Sequence, residues 1–115
     1  MSQLRVEKVQ EFIKQEISSI LIDGLKDPRV GFVTVTRVEC SRDLRLGKVF
    51  FSVLGDKTKR ASTMEALNHA KGYIRSTVGK ALNIRFTPEL AFHLDESLDA
   101  GENIQRLLNE ANNKV

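Results

Sequence analysis

The chain lacks the features that hold secreted and membrane proteins together. It has one cysteine among 115 residues, Cys40, so an internal disulfide is excluded and a reducing compartment is indicated. No uninterrupted run of hydrophobic residues is longer than three, which is far too short for a membrane span. The first seven residues also lack the apolar stretch of a secretory signal. We therefore expect a cytoplasmic protein that does not enter a membrane.

Tryptophan is absent, only 6% of the residues are aromatic, and there are only two prolines. These counts exclude a proline-rich or collagen-like chain, and they leave few rings for stacking on nucleobases. What is present is an ordinary globular composition, with 41% hydrophobic and 29% charged residues. A chain of this length makes one domain and buries enough surface for one core without disulfides.

Charge is unevenly distributed along the chain, although the formal net charge is only +3. Residues 37–85 contain eleven lysines and arginines against four acids, a net charge of +7, whereas residues 89–115 have a net charge of −4. A basic middle and an acidic end indicate a surface that binds a polyanion and a tail that lies outside this surface. The alternative is a solvated, lysine-rich surface without a nucleic-acid ligand, and charge alone does not decide between the two.

The hydrophobic pattern of the first half predicts a helix followed by a β-hairpin. Apolar residues recur at three- and four-residue spacing: Val6, Val9, Ile13, Ile17 and Ile20. This spacing predicts an amphipathic helix over residues 4–23, and Gly24 is its expected end. β-branched residues predict strands over residues 31–39 and 48–54, with turn residues at 41–44 between them. Two strands with so short a connection pair as an antiparallel hairpin.

The second half predicts a broken helix and a third strand. The sequence Ser62-Thr63-Met64-Glu65 matches a capping box and predicts a helix over residues 63–82. Gly72 lies inside this helix and weakens it, so we expect a kink at residues 70–72. A third strand is predicted over residues 89–94. This half therefore supplies a helix–kink–helix segment and one strand.

The order of these elements predicts an α+β fold, with a small three-stranded sheet covered by helices. Beyond the third strand, Ser97 or Asp99 caps a final short helix. We assign residues 1–97 to a single domain and residues 98–115 to a C-terminal helical tail that is not a separate domain.

No group of residues in the sequence predicts catalysis. Cys40 follows the first strand and is expected to be a half-buried filler. His69 and His93 have no cysteine or histidine at metal-ligand spacing, and the glycine–lysine pairs lack the upstream glycine of a phosphate loop. Adjacent carboxylates at Asp95 and Glu96 point apart in an extended segment, so a cap or turn role is expected. We expect no enzyme, no metal, no cofactor and no small-molecule substrate.

The second half of the broken helix predicts a binding surface. At about 100° per residue, its small side chains fall near one line along the helix: Gly72, Ser76, Gly79 and Asn83. Arg75 and Lys80 flank this line. A floor of small residues between cations lets a sugar-phosphate backbone come close. The alternative is that the glycines only permit close helix packing or the kink.

Further cations extend this prediction to the hairpin and to the link after it, which carries Lys57, Lys59 and Arg60. The complete set predicted to contact RNA or the ribosome is Arg42, Arg45, Lys48, Lys71, Gly72, Arg75, Ser76, Gly79, Lys80 and Arg85. Because aromatic residues are scarce, we expect contact with phosphates and backbone shape rather than base stacking. Such binding has weak sequence preference and a steep dependence on salt.

Several sequence blocks, taken together and in order, resemble a bacterial family, ribosome-binding factor A. They are DPRVGFVTVT from Asp27, VECSRDL from Val38, VLGD from Val53, AKGYIR from Ala70, RFTPEL from Arg85 and DES from Asp95. The resemblance covers about residues 4 to 110. It departs from the family at Arg42, where proline is frequent, and in the lack of a long C-terminal extension.

The resemblance implies a type II KH-like domain in the order αββααβ, in which the kink Ala70-Lys71-Gly72 replaces the usual Gly-x-x-Gly loop. It also implies an assembly factor of the bacterial cytoplasm that binds free 30S subunits, assists late 30S maturation and 16S rRNA processing, and supports growth in the cold. The expected partners are 16S rRNA and the free 30S subunit, and a monomer is expected. Two alternatives remain: a protein–protein adaptor that uses the acidic tail, and a KH-like RNA-binding module unrelated to the ribosome. An rRNA nuclease is a third, less favoured reading of the residues.

Overall fold

The structure, a computed structural model, describes residues 2–84 and 86–96 of the chain. Within them the order of elements is helix, two strands, two helices and one strand, which confirms the αββααβ arrangement. The predicted tail helix and the predicted boundary after residue 97 lie outside the described residues.

The first helix, α1 (Gln3–Asp23), begins and ends close to its predicted bounds. The Ser2 hydroxyl accepts a hydrogen bond from the Arg5 amide at 3.2 Å, and this cap starts the helix. Gly24 ends it with a φ of 89°, a left-handed conformation that favours glycine, and its amide donates to carbonyls of the last turn. The five residues of the predicted apolar stripe are all buried.

Strands β1 (Val33–Cys40) and β2 (Leu46–Val53) form the predicted antiparallel hairpin, displaced by one or two residues from the predicted bounds. The connection between the strands explains the displacement, because it ends before Leu46 and not before Lys48. The Ser41 amide donates to the Leu46 carbonyl at 2.8 Å, which makes Leu46 the first residue of β2. β1 carries a bulge at Thr36, so one more residue of β1 than of β2 spans this stretch.

The helix α2 (Lys57–His69) begins earlier than predicted, because Asp56 and not Ser62 is its cap. The Asp56 carboxylate accepts from the Lys59 amide at 2.8 Å and satisfies a free backbone donor of the first turn. Thr63, which belonged to the predicted capping box, is instead buried inside the helix, where its hydroxyl donates to a carbonyl of the α1–β1 connection at 3.1 Å. The capping-box prediction was therefore wrong.

The predicted kink is confirmed, since Ala70 separates α2 from α3 (Lys71–Leu82). β3 (Glu89–Leu94) has its predicted bounds and pairs with β2 in parallel, so that the strand order is β1-β2-β3. Parallel pairing requires a crossover connection, and α2 and α3 supply it. The sheet is therefore mixed, and the α+β class is confirmed.

The core lies between one face of the sheet and the helices. Alternate residues of β2 face it, and Val49, Phe51 and Val53 are at most 1% exposed. Phe51 meets Phe92 of β3 edge to face, with ring centroids 5.1 Å apart. The intervening β2 residues, among them Lys48, point to the opposite face of the sheet.

Candidate nucleic-acid interface

The turn between β1 and β2 holds two predicted cations, Arg42 and Arg45, both of them exposed. The Ser41 hydroxyl donates to the Asp43 carboxylate at 2.7 Å, and the Arg45 amide donates to the same oxygen at 3.1 Å. Leu44 adopts a φ of 58° and turns its side chain into the core, where it is 3% exposed. The backbone of the turn is thus fixed from both sides, and its two guanidinium groups extend outwards.

The Asp43 carboxylate partly neutralises the positive charge of this turn. The hydrogen bond from the Ser41 hydroxyl, followed by the bond from the Arg45 amide, lowers the pKa of Asp43. Its carboxylate is therefore ionised at neutral pH, and it lies 3.8 Å from the guanidinium of Arg45. One carboxylate against two arginines leaves the turn with a net positive charge.

Arg75 of α3 anchors the segment that leads into β3. Its guanidinium donates to the Pro88 carbonyl at 3.1 Å and to the Thr87 carbonyl at 2.9 Å, and it pairs with the Glu89 carboxylate at 3.3 Å. Its side chain is still 38% exposed, so these contacts do not bury it completely. The Glu89 amide in turn donates to the Arg45 carbonyl at 2.8 Å. The structure thereby brings Arg45 and Arg75 to the same end of the sheet.

The predicted floor of small residues is shorter than expected. A Cβ atom at Gly72 would meet nothing within 4 Å, and both Gly72 and Ser76 are exposed. A Cβ atom at Gly79, in contrast, would contact the Thr87 hydroxyl and would lie 3.2 Å from its methyl group. The lack of a side chain at Gly79 therefore allows α3 to pack closely on residue 87. This is the alternative to a binding floor that the sequence left open for the glycines. Lys80 beside it is exposed.

We expect Gly72→Ala and Gly79→Ala to change stability in opposite directions. Alanine at Gly72 has free space and restricts the unfolded chain, so the free energy of unfolding should rise by about 0.5 kcal/mol or more. Alanine at Gly79 overpacks against Thr87, and the cost of this clash should exceed the gain in helix propensity. The net effect should lower the free energy of unfolding by about 1 kcal/mol. Urea unfolding of the two variants beside the parent measures both, and equal stabilisation would contradict the packing role of Gly79.

The other predicted cations do not join one wall. The Lys71 ammonium lies 5.3 Å from the centroid of the Phe92 ring at the opposite end of α3. Lys48 points away from the helices, on the other face of the sheet, where its Cα partner is Glu39. Arg85 lies outside the described residues. We use the name basic rim for the four cations on the turn and on α3 beyond its first turn: Arg42, Arg45, Arg75 and Lys80.

Two residues near the sheet ends were missed or misassigned from the sequence. Phe86 is 67% exposed and lines a shallow pocket of about 280 Å³ with Arg45 and Thr87. The sequence signal for an exposed Phe86 was its position just before a predicted strand and outside any periodic hydrophobic pattern. Asp95, for which a cap or turn role was expected, is instead 3% exposed, and its carboxylate accepts a hydrogen bond from the Thr36 hydroxyl at 2.6 Å. It ties the end of β3 to the bulge of β1.

The described residues contain no group of three or more acidic, histidine or cysteine side chains that could hold a metal ion. Burial raises the pKa of Cys40 to about 11, so its thiol is protonated at neutral pH and is a poor nucleophile. Cys40 packs half-buried against the core, which confirms its predicted filler role. In the part of the chain that the structure describes, no helix has the length and apolar content needed to span a membrane.

Comparison with known proteins identifies the family. A family model described as Ribosome-binding factor A matches residues 5–108. Ribosome-binding factor A of Brevibacillus brevis is 49% identical over 110 residues, which are 96% of this chain and 91% of that protein. The crystal structure of ribosome-binding factor A from Thermus thermophilus has a TM-score of 0.65 at 22% identity, and the match covers 76% of this chain and 92% of that one.

A further match is a homology model of the Thermus thermophilus factor fitted into a cryo-EM map of a 30S–RbfA complex. It has a TM-score of 0.55 at 22% identity and covers 75% of this chain and 86% of that chain. At this identity the two Thermus structures show a shared fold, whereas the family model and the Brevibacillus protein carry the family assignment. The chain belongs to the ribosome-binding factor A family.

Proposed function

We propose that this chain is a non-enzymatic assembly factor that binds the free 30S ribosomal subunit and assists its late maturation, including processing of 16S rRNA. The observation that carries the proposal is the basic rim, because its cations sit on a fixed turn and a packed helix at one end of the sheet. Family membership and the fit of a relative into a 30S complex support the choice of partner. The protein acts as a monomer in the bacterial cytoplasm.

The rim suits folded rRNA for two reasons. Arginine presents a planar fork that matches two phosphate oxygens, and the two arginines of the turn, Arg42 and Arg45, are exposed. Hydrogen bonds already order the backbone of the turn that carries Arg42 and Arg45, so little backbone entropy is lost there when phosphates bind. The exposed faces of Gly72 and Ser76 leave space for close approach of a sugar-phosphate backbone along the first half of α3.

Selectivity for an immature subunit arises from shape. Phosphate contacts alone attract the protein to any RNA, whereas a rigid surface fits only those conformations that place phosphates at matching positions. If the protein binds one subunit conformation more tightly, it shifts the population of subunits towards that conformation by the difference in affinity. This mechanism needs neither nucleotide hydrolysis nor a catalytic residue.

A salt series of co-sedimentation experiments tests the proposal. We expect the protein to sediment with purified free 30S subunits, and more strongly than with assembled 70S ribosomes. If the rim contributes about four phosphate contacts, affinity for the free subunit should fall by about 100-fold between about 50 and 200 mM salt. Equal binding to free subunits and to assembled ribosomes would indicate a general RNA-binding protein, and binding that is insensitive to salt would exclude phosphate recognition.

A further inference from the structure

Two large apolar side chains are exposed side by side where the β-hairpin begins and ends. Phe32, just before β1, is 80% exposed, and Leu54, just after β2, is 46% exposed. They are neighbours because the Leu54 amide donates to the Phe32 carbonyl at 3.0 Å, one step beyond the last pair of the two strands. Single exposed apolar residues are common, whereas two adjacent ones form a patch that a binding partner can cover.

Cationic side chains of α2 lie beside the residues that adjoin Phe32 and Leu54. The aliphatic stem of Lys59 lies over Gly31 and Gly55: a Cβ atom at Gly31 would be 2.6 Å from its Cε and 3.3 Å from its Nζ. A Cβ atom at Gly55 would be 2.8 Å from its Cγ. The two glycines therefore form a seat for this lysine, and its ammonium group is placed next to the residue that precedes Phe32.

Two more cations adjoin this seat. The Arg60 side chain donates through Nε to the Gly55 carbonyl at 3.0 Å, one residue after Leu54. Lys57 is exposed at the first position of α2. The carboxylate of Asp56, between Gly55 and Lys57, is engaged as the cap of α2, where it accepts the Lys59 amide. We use the name hairpin-base patch for these side chains: Phe32, Leu54, Lys57, Lys59 and Arg60.

The hairpin-base patch is separate from the basic rim. The rim includes the turn at residues 41–45, and the patch lies at the other end of the same two strands. Each strand has eight residues, so the two surfaces are about 25 Å apart along the hairpin. A partner that contacts both therefore extends along the whole hairpin, as a folded RNA can.

The chemistry of the patch selects an unpaired nucleotide. An exposed phenyl ring offers a stacking face for a nucleobase, and cations beside it fit the flanking phosphates. An acidic peptide would use the cations but has no need of the ring, and an apolar protein surface would have to desolvate three cations. We infer that Phe32 stacks on an unpaired base of rRNA while Lys57, Lys59 and Arg60 hold the adjacent phosphates. This inference rests on the proposed function and adds a stacking contact that the scarcity of aromatic residues argued against.

Because the chain has no tryptophan, Phe32→Trp introduces a single indole whose fluorescence reports the patch. Tryptophan keeps the capacity to stack, so a 12-nucleotide single-stranded RNA of mixed sequence should quench its emission in a saturable way. Ile22→Trp is the matched control: Ile22 is 84% exposed on α1, and its emission should not change. The same RNA annealed to its complement should quench Phe32→Trp less, because its bases are paired.

Affinity measurements with the same RNA complete the test. Phe32→Ala should bind the single strand about tenfold more weakly without loss of helix content, because the ring contributes little to the core. Lys59→Met keeps the stem over the two glycines and removes the charge, so it should lower both the affinity and its dependence on salt.

The inference is overturned if Phe32→Ala binds the single strand as tightly as the parent, or if the Phe32→Trp emission stays constant while RNA binds. It is also overturned if that emission responds to 30S subunits but not to protein-free 16S rRNA, which would identify a protein partner. Failure of the proposed function is a different result, namely that the parent does not sediment with free subunits. A parent that sediments and a Phe32→Ala variant with full RNA affinity would remove only the stacking contact.

Discussion

Reversing three rim charges together, by Arg42→Glu, Arg45→Glu and Lys80→Glu, is expected to weaken binding to the free 30S subunit by more than about 100-fold. Each substitution removes an attraction to phosphate and adds a repulsion. All three side chains are exposed, so we expect at most a small loss of stability, chiefly from Arg45→Glu beside the Asp43 carboxylate. Co-sedimentation at low salt measures the loss, and circular dichroism of the same samples shows whether the structure is retained.

The control for this variant changes charge equally at another surface. Arg5, Lys8 and Lys26 are exposed on or just after α1 and do not belong to the basic rim. Reversing these three to glutamate alters the net charge of the protein by the same amount. If binding depends on the rim, the control should lose only a small part of the affinity. Equal losses in both variants would show that overall charge, and not the rim, attracts the subunit.

Arg75 is omitted from the triple variant on structural grounds. Its guanidinium holds the Thr87 and Pro88 carbonyls and the Glu89 carboxylate, so reversing its charge would place two carboxylates together and release the start of β3. A loss of binding in such a variant would not separate a contact with RNA from a disturbed fold. Its contact with RNA stays a prediction, to be tested in the background of an intact β3.

Phe51→Ala is expected to lower the free energy of unfolding by about 4 kcal/mol. The Phe51 side chain has no solvent exposure and packs edge to face on Phe92, so its removal opens a cavity between β2, β3 and the helices. For a domain of this size, a loss of that magnitude is a large part of the total stability. Urea or thermal unfolding followed by circular dichroism measures the change.

The adjacent residue provides the comparison. Phe50 points to the opposite face of the sheet, where the Arg37 guanidinium lies 4.0 Å from its ring centroid and His93 stacks at 5.4 Å. Removal of this half-buried ring by Phe50→Ala should cost only about 1 kcal/mol. Similar losses for Phe50→Ala and Phe51→Ala would contradict the assignment of the two rings to different faces.

The elements that the sequence predicted well are those determined by local pattern. The apolar stripe of α1 and the alternation of apolar residues in β2 both depend on residues close together along the chain. The structure buries these apolar side chains as expected. The start of α2 was missed because the Ser62–Glu65 pattern was taken as the capping box, whereas Asp56, six residues earlier, is the cap. The bond from the buried Thr63 hydroxyl to the α1–β1 connection is a tertiary contact that the local pattern does not reveal.

The candidate site was harder to predict because it depends on contacts between distant segments. Helical geometry predicted that Gly72 and Gly79 lie on one line along the helix. That Thr87 covers Gly79 depends on a contact with another segment, which only the structure shows. Lys48 belonged to the predicted set by charge, and strand alternation moves it to the other face. Phe32 was assigned to a predicted strand over residues 31–39, but β1 begins only at Val33, so the exposure of Phe32 could not be foreseen.

The parallel pairing of β3 with β2 has a consequence for the protein during its own synthesis. α1 and the hairpin are complete once residue 54 has left the exit tunnel, whereas β3 joins them only after the α2–α3 crossover has emerged. The carbonyl groups that orient Arg75 belong to this last segment. A nascent chain whose third strand has not yet emerged therefore lacks the contacts that orient Arg75, and the basic rim is assembled only when this strand joins the sheet.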